Sequence, residues 1–279
     1  MVNVFLFDVS PYIYSSLFGA VAALKIKGSI PKPMEARLLQ MAKAFFINKL
    51  KTPFTCIGGN CIPVYCYDGK PIRKRELYPA YKENRKKIAN PMPFNLKESL
   101  TRVAKGLPGY HLTNPQEEAD DILASAKAFI KNTLQEPCTF YVFSTDNDLL
   151  QLGDDNTVFI NCNKWGEYKD KEYLKKEFNG IEKYKQVVLH KICFGDSSDN
   201  ITGIFKGARR QAITDEFKKC RNMGDFMSMP KIEASMIPEI KTLYKLIKLN
   251  DNVPYDVNFV EDSSEFNCKV DMIDIDLKG

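Results

Sequence analysis

The stretch that does most to decide the fold is Gly195-Asp196-Ser197-Ser198-Asp199-Asn200. It is the last of five acidic groups along the chain. The other four are Asp8, Asp68, the run Glu118-Ala119-Asp120-Asp121, and the triplet Asp146-Asn147-Asp148. Four of the five follow a short apolar run, at residues 4–7, 64–67, 140–143 and 187–194. Such runs are typical of strands or helices that are buried on both faces.

Carboxylates at the ends of parallel strands converge on one crevice of an open α/β sheet. Acids so close together would repel one another unless cations lay between them, and oxygen ligands suit Mg²⁺ or Mn²⁺. Two such ions about 4 Å apart can activate a water molecule and stabilise a leaving oxygen in phosphodiester hydrolysis. Each acid alone also has a plainer interpretation, as a helix cap, a turn residue or helix-start charge. The shared pattern favours a metal cluster, with Glu118 and Asp121 on one helix face and Asp120 pointing elsewhere.

Composition agrees with an α/β protein that binds a polyanion. The chain has 279 residues, 44% of them hydrophobic, and a net charge of +5. Residues 69–87 contain eight basic and two acidic side chains, whereas residues 251–276 are acidic. This asymmetry predicts a polyanionic partner for one surface. Eight cysteines without a CxxC pair, no leader peptide and no apolar run of about 20 residues predict a soluble cytoplasmic protein.

The chain divides into a sheet region and a helical region. Strands alternate with helices up to about residue 170, with Ser10 and Pro11 marking the start of the first helix, and a helical pattern follows to about residue 249. We therefore predict an α/β domain over residues 1–170 with a basic segment at about 69–92, a helical lobe over 171–255, and an acidic tail over 256–279. The tail is interpreted as solvated or as a docking strand for a replication protein.

The order of the motifs resembles the flap endonuclease family, including the bacteriophage 5′-exonucleases, phage ribonuclease H and the 5′-nuclease domain of DNA polymerase I. The similarity covers residues 1 to about 255 and rests on six blocks in family order. They are Asp8, Tyr67-Asp68-Gly69, Arg73 to Arg85, Glu118 to Asp121, Ser144 to Asp148, and Gly195 to Asn200. The resemblance implies a PIN-like fold: a central, mostly parallel sheet with helices on both faces, a helical arch, and a C-terminal helix-hairpin-helix lobe.

The resemblance also implies roles for particular residues. The first of two Mg²⁺ ions would be held by Asp8, Asp68, Glu118, Asp120 and Asp146. The second would be held by Asp148, Asp196 and Asp199, with Asp121 near both. Lys82 and Arg85, in the block Tyr81-Lys82-Glu83-Asn84-Arg85, would lie over the scissile phosphate as catalytic residues.

DNA contacts are predicted for a further set of residues. Tyr78 and Tyr81 would either stack on unpaired bases or simply pack, and Lys74 and Lys87 would add phosphate contacts. The segment around Gly203 and Gly207 lacks the close Gly-x-Gly pair usual in the family, so a monovalent-cation site there stays open. The remaining predicted DNA contacts are Arg73, Arg75, Lys86, Lys206, Arg209 and Arg210.

The sequence therefore predicts a Mg²⁺-dependent 5′-nuclease, with Mn²⁺ as a substitute, acting on 5′ ends and flaps of DNA and on RNA–DNA hybrids during replication or repair. It would be a monomer, in an infected bacterial host if phage-encoded, with a single-stranded-DNA-binding protein as a candidate partner. One alternative is a PIN-type single-strand ribonuclease, which the long arch and helical lobe disfavour. Another is an inactive junction-binding protein, which the intact acids disfavour. His111 and His190 lie outside the motifs, so a histidine general base is not expected.

Overall fold

Six strands form a single sheet in the order β5-β4-β1-β2-β3-β6. The computed structural model describes residues 1–87, 94–205, 210–261, 272 and 275–277, without the side chains of residues 86, 87 and 94. The five strands β1 to β5 pair in parallel, and β6 pairs antiparallel with β3. The strands are β1 Val2–Asp8, β2 Cys61–Tyr67, β3 Gly109–Thr113, β4 Cys138–Phe143, β5 Thr157–Ile160 and β6 Asp256–Val260.

Helices cover both faces of the sheet. On one face, α1, α2 and α4 pack against Phe5 and Phe7 of β1. On the other face, α5 and most of the helices beyond β5 pack against Val4 and Leu6 of the same strand. Because β1 is covered on both sides, its residues 4–7 are all apolar. The helices are α1 Val9–Ala23, α2 Lys32–Cys56, α3 Ile72–Leu77, α4 Phe94–Lys105, α5 Ala119–Thr133, α6 Lys171–Glu177, α7 Val187–Phe194, α8 Arg210–Phe217, α9 Met223–Met227 and α10 Ile237–Ile247.

The strand order creates the crevice that the sequence predicts. From β1 the chain moves through β2 and β3 on one side, and then returns to place β4 and β5 on the other side. The carboxyl ends of β1 and β4 therefore flank the point where the order reverses, which is where open α/β sheets bind ligands. Within the described residues, no helix is long and apolar enough to span a bilayer.

A row of stacked rings crosses the sheet beneath this edge. Phe143, Phe7, Tyr65 and His111 come from four neighbouring strands, with centroid separations of 4.8, 4.9 and 4.9 Å and interplanar angles of 15°, 11° and 10°. His111 ends the row, where Nε2 donates to the Leu107 carbonyl and Nδ1 accepts from the Tyr67 hydroxyl, each at 2.8 Å. Both ring nitrogens are thus satisfied in the neutral imidazole, and burial lowers the pKa of His111 to about 4.

His111 is expected to make stability depend on pH. Since its folded pKa lies below the ordinary value of about 6.5, the unfolded chain binds the proton first as the pH falls. The neutral imidazole of His111 therefore contributes at most about 3 kcal/mol to the free energy of unfolding. This contribution is complete above pH 6.5 and is lost between about pH 6.5 and 4. Urea unfolding of the wild type and of His111→Gln, at several pH values between about 6.5 and 4, measures this contribution. The stability advantage of the wild type should shrink towards pH 4, and an unchanged difference would contradict the neutral buried imidazole.

The structure corrects two boundaries drawn from the sequence. Helix α1 begins at Val9 with Asp8 as its N-cap, two residues before the predicted cap at Ser10. The acidic tail does not begin at residue 256, because residues 256–260 form edge strand β6 on β3. Further along, Leu277 is 1% exposed and the Ile275 amide donates to the Tyr110 hydroxyl at 2.7 Å. These described parts of the C-terminal segment contact the body of the protein rather than solvent alone.

The region from α6 to α10 is helical, as predicted. It does not form a separate core, since Leu189 and Leu243 belong to the same buried cluster as Val4 and Leu6. Residues 206–209 between α7 and α8 lie outside the described residues, so the helix-hairpin-helix lobe stays a prediction. The predicted contacts of Lys206, Arg209 and the Lys86 side chain also lie outside them.

Candidate active site

A cavity of about 960 Å³ opens at the carboxyl edge of the sheet. The five acids that the resemblance assigns to a first ion all line it, namely Asp8, Asp68, Glu118, Asp120 and Asp146. They come from the ends of β1, β2 and β4 and from the first turn of α5. The sequence pattern of apolar strand followed by acid therefore does bring these carboxylates together.

Hydrogen bonds fix several of these carboxylates. Asp8 accepts from the Ser144 hydroxyl at 2.7 Å, and Asp68 accepts from the Ser10 hydroxyl at 2.5 Å and the Ala119 amide at 3.0 Å. The last bond joins β2 to the start of α5. Gly69 allows this approach, because a Cβ there would lie 2.1 Å from the Asn114 carbonyl oxygen. The acids are held in place by their neighbours before any ligand binds.

The carboxylates disfavour one another's charge. Burial raises the pKa of Asp8 well above its usual range, and the nearby Asp68 raises it further. Burial likewise raises the pKa of Asp120 to about 7, partly offset by Lys74. Burial also acts on Glu118, but Lys74 and Lys82 outweigh it and hold the pKa of Glu118 at about 2. A site in which several carboxylates need either a proton or a neighbouring cation is suited to binding metal ions.

A second cluster lies beside the first. Among the described residues, Asp148, Asp196 and Asp199 each place a carboxylate oxygen within 4.8 Å of the others. The turn that holds Asp196 depends on Gly195, whose φ is 78° and whose added Cβ would meet the Ile201 carbonyl oxygen at 2.5 Å. The three residues match those assigned to a second ion by the resemblance.

Comparison with known proteins identifies the family. Residues 3–180 match the model of the 5′-3′ exonuclease N-terminal, resolvase-like domain. The chain belongs to the 5′-3′ exonuclease family. It is 28% identical over 257 residues to a 5′-3′ exonuclease of Buchnera aphidicola subsp. Baizongia pistaciae, covering 87% of this chain and 75% of that protein. A 5′-3′ exonuclease of Aquifex aeolicus is 26% identical over 257 residues, covering 89% and 82%.

Solved structures show the same fold. The T5 D15 protein co-crystallized with metal ions superposes with a TM-score of 0.62 at 18% identity, over 89% of each chain. The bacteriophage T5 D15 flap endonuclease, in a pseudo-enzyme-product complex with DNA and metal ions, gives a TM-score of 0.58 at 18% identity, over 90% of this chain and 88% of that one. The predicted family, the PIN-like fold class and the assignment as a nuclease are thereby confirmed.

Three lysines of the nuclease contact its acids from inside the protein. Lys74 is 3% exposed and lies 3.0 Å from Glu118, 3.3 Å from Asp120 and 2.9 Å from Asp121. Lys191 contacts Asp148 and Asp196, and Lys82 contacts Glu118 at 2.5 Å and Asp199 at 3.6 Å. The expectation that Lys74 contacts phosphate is wrong, because its ammonium group is buried among carboxylates. No sequence motif marks Lys191, which lies within an apolar helix.

A fourth lysine shapes the loop between the clusters. Lys169 is 4% exposed and donates to the Thr145 carbonyl at 2.7 Å and to the Asn147 side-chain oxygen at 2.9 Å. Because Asp146 and Asp148 flank Asn147, this contact positions one acid from each cluster. Sequence analysis did not identify Lys169, since no motif distinguishes it from the surface lysines around it.

Asp121 occupies a different place from the one predicted. Its side chain is fully buried, accepting from Arg73 at 3.1 Å, Lys74 at 2.9 Å and the Asn250 amide at 2.7 Å. It joins α3, α5 and the segment after α10, and it does not line the cavity. Glu118 and Asp121 were predicted to lie on one helix face, but Glu118 is the extended N-cap of α5 rather than a helical residue. Asp120 therefore lines the cavity, and Asp121 does not.

The basic segment supplies both structural and exposed side chains. Arg73 pairs with Glu117 at 3.3 Å and with Asp121, and its DNA contact stays a prediction. Arg75 is exposed and lines the cavity. Arg85 lies 3.0 Å from Asp199. On α8, the exposed Arg210 places its guanidinium 5.4 Å from the Phe194 ring centre.

The two tyrosines of this segment are packed. Tyr81 is 3% exposed, and its hydroxyl lies 2.8 Å from Glu118 and 3.0 Å from Asp199. It therefore positions two acids and cannot stack on a base in this arrangement. Tyr78 is half-buried against the main core. Aromatic side chains that do line the cavity come from α1, where Tyr14 and Phe18 lie 6.5 Å apart, with Lys97 4.9 Å above the Tyr14 ring.

Removing the Lys74 charge is expected to destabilise the fold. Lys74→Met leaves buried carboxylates without their counter-charge, which typically costs about 3 kcal/mol. Urea unfolding in the presence of a chelator measures the loss. Lys70→Met, at an exposed position of the same segment, is the matched control and should change stability by less than about 0.5 kcal/mol. Equal effects at the two positions would show that the Lys74 ion pairs do not stabilise the protein.

Proposed function

We propose that this chain is a Mg²⁺-dependent 5′-nuclease that hydrolyses phosphodiester bonds at 5′ ends and flaps of DNA. The observation that carries the proposal is a pair of carboxylate clusters at one edge of the sheet, beneath Lys82 and Arg85. The ligand atoms are carboxylate oxygens, which suit Mg²⁺ and Mn²⁺ rather than softer metals. Burial raises the pKa of Asp8 and of Asp120, so a bound cation would stabilise the charged form of both carboxylates.

Each cluster would hold one ion. The first would use Asp8, Asp68, Glu118, Asp120 and Asp146, and the second Asp148, Asp196 and Asp199. When bound, the two ions supply an activated water and neutralise the charge that develops on the phosphate and leaving oxygen. Lys82 and Lys191 contact some of the same carboxylate oxygens. A bound ion would therefore compete with these ammonium groups for the carboxylates.

Residues of the chain itself orient the substrate. Lys82 lies between the two clusters, where its ammonium group can bind a phosphate that bridges them. Arg85, half-exposed beside Asp199, can bind the same phosphate through its guanidinium group. Tyr81 holds Glu118 and Asp199 at fixed positions beneath them. These groups stabilise charge that grows in the transition state, so they act on turnover.

The surrounding cavity wall suits a nucleic-acid strand. Arg75 and Lys97 can contact phosphates, and Tyr14 and Phe18 offer ring faces to unpaired bases. A relative of the same fold has been solved in complex with DNA and metal ions, which supports DNA as the substrate. We extend the proposal to RNA–DNA hybrids and to primer or flap removal by a cytoplasmic monomer, with a single-stranded-DNA-binding protein as partner. The products would carry a 5′-phosphate and a 3′-hydroxyl.

One assay tests this function against its alternatives. The substrates are a labelled 5′-flap, a nicked duplex, an RNA–DNA hybrid and a single-stranded RNA, each with Mg²⁺, Mn²⁺, Ca²⁺ or a chelator. We expect flap cleavage with Mg²⁺ and Mn²⁺, poor cleavage with Ca²⁺ and none with chelator. Cleavage confined to single-stranded RNA would favour a PIN-type ribonuclease, and flap binding without cleavage would favour an inactive junction-binding protein. Full activity in excess chelator would overturn the metal sites.

A further inference from the structure

The only tryptophan of the chain, Trp165, lies two residues from the cavity-lining Asn163 and has no role in the site described so far. Trp165 belongs to the loop after β5, which folds back so that Tyr168 bridges Ile160. The Asn161 amide donates to the Glu167 carbonyl at 2.9 Å, and the Asn161 side chain donates to the Glu167 carboxylate at 2.8 Å. The loop is thus closed by its own hydrogen bonds and presents Trp165 at its turn.

The indole extends the row of rings that crosses the sheet. It lies next to Phe143, the first ring of that row, with a centroid distance of 6.4 Å and an interplanar angle of 15°. Phe143 is fully buried, whereas Trp165 is 42% exposed. An indole that rests on the core with one part of its surface in water can offer that free face to a flat ligand.

The same loop forms part of the cavity wall. Asn163, two residues before Trp165, lines the cavity that holds the first acidic cluster. Lys49 of α2 donates to the Asn163 side-chain oxygen at 3.4 Å and to the Ser15 hydroxyl at 2.7 Å. Within the described part of the chain, Lys49 contacts these two neutral oxygens and no carboxylate, so its charge can attract an anion. Lys49 is thus bonded to Asn163 at the cavity wall, and Trp165 lies two residues further along the same loop.

We propose that Trp165 is a stacking site for an unpaired nucleobase of the substrate strand. This inference rests on the proposed function, since it requires a strand that passes through the acidic cavity. A base is the ligand whose flat face matches the exposed indole, and its backbone phosphate can lie against Lys49. Stacking of this kind tolerates any base, because every base has a π face. The site therefore favours unpaired strands without reading their sequence.

Intrinsic fluorescence tests the inference in the unmodified protein, because Trp165 is the sole indole. The titrant is a 5′-flap oligonucleotide in Ca²⁺, and binding is followed in parallel by the anisotropy of a label on the duplex arm. We expect the indole emission to be quenched as the anisotropy rises. A flap of the same length built from abasic units carries the same phosphates and should bind without that quenching. Binding of the normal flap with unchanged indole emission would overturn the stacking site and leave the proposed function intact.

Variants give a second, independent measurement. Trp165→Ala should raise the dissociation constant for the flap by about tenfold, the size of effect seen when a stacked base loses its aromatic partner. Trp165→Phe keeps a ring and should recover most of the affinity, while turnover at saturating substrate should stay unchanged in both. The matched control is Phe259→Ala, a 40% exposed ring that packs on Tyr110 at the opposite edge of the sheet. Equal loss of affinity in Trp165→Ala and Phe259→Ala would overturn the proposal, whereas absence of any flap binding by the wild type would overturn the proposed function itself.

Discussion

Replacing Asp146 by Asn is expected to lower the rate of flap cleavage by about a thousandfold or more while leaving DNA binding nearly unchanged. Metal ligation contributes several kcal/mol to the transition state, and each 1.36 kcal/mol lost slows the reaction about tenfold. Binding should survive, because removing a negative charge from the cavity reduces its repulsion of phosphate. Single-turnover cleavage and flap anisotropy, measured on the same preparation, separate the two effects.

The matched control for this change is Asp155→Asn. Asp155 is an exposed residue of the turn that precedes β5, outside the residues that line the cavity. Its replacement removes the same charge from the protein without touching either carboxylate cluster. Cleavage by Asp155→Asn should match the wild type. If Asp146→Asn also cleaved at the wild-type rate, the first cluster would not be a metal site.

Lys82→Ala is expected to reduce turnover far more than affinity. The Lys82 ammonium group lies between Glu118 and Asp199, and the residue has a φ of 56°, in the left-handed region that few non-glycine residues adopt. Such conformations cost about 1 kcal/mol or more and persist where the surrounding structure enforces them. A charge fixed at this point acts on the phosphoryl group as negative charge grows, so its loss should appear in the maximal rate. Arg85→Ala should show a smaller loss of the same kind.

Arg75→Ala provides the contrast within the same segment. Arg75 is exposed on the cavity wall and, among the residues that the structure describes, has no close carboxylate partner of the kind that Lys82 has. Its removal should weaken flap binding and reduce the salt dependence of affinity by about one phosphate contact. The maximal rate should change little. Equal loss of turnover in Lys82→Ala and Arg75→Ala would count against a transition-state role for Lys82.

The acidic clusters could be predicted because their positions follow from local pattern. Each of Asp8, Asp68 and Asp146 follows an apolar run that is long enough for one buried strand. Parallel strands end at one edge of the sheet, so the sequence order alone brings these residues together. The same reasoning does not fix the direction of a side chain at a helix start. The shared face predicted for Glu118 and Asp121 does not form because Glu118 precedes the first helical residue, and Asp121 is buried away from the cavity that Asp120 lines.

The buried cations could not be predicted because burial of a lysine depends on distant partners. Lys74 and Arg75 are adjacent in a basic run, yet Lys74 is buried among three acids while Arg75 is exposed. The contacts come from α5, more than forty residues away along the chain. Edge strand β6 could not be predicted either, because it forms by pairing with β3, whose residues are far away along the chain.

Each of the two carboxylate clusters is expected to hold one divalent ion. The direct measurement is the number of Mn²⁺ ions bound per chain in the presence of flap DNA, obtained from the loss of the free-ion EPR signal during titration. We expect two ions for the wild type and for Asp155→Asn, and weakened binding of one of them for Asp146→Asn. A wild-type protein that binds only one ion, or none, while cleaving the flap would contradict it.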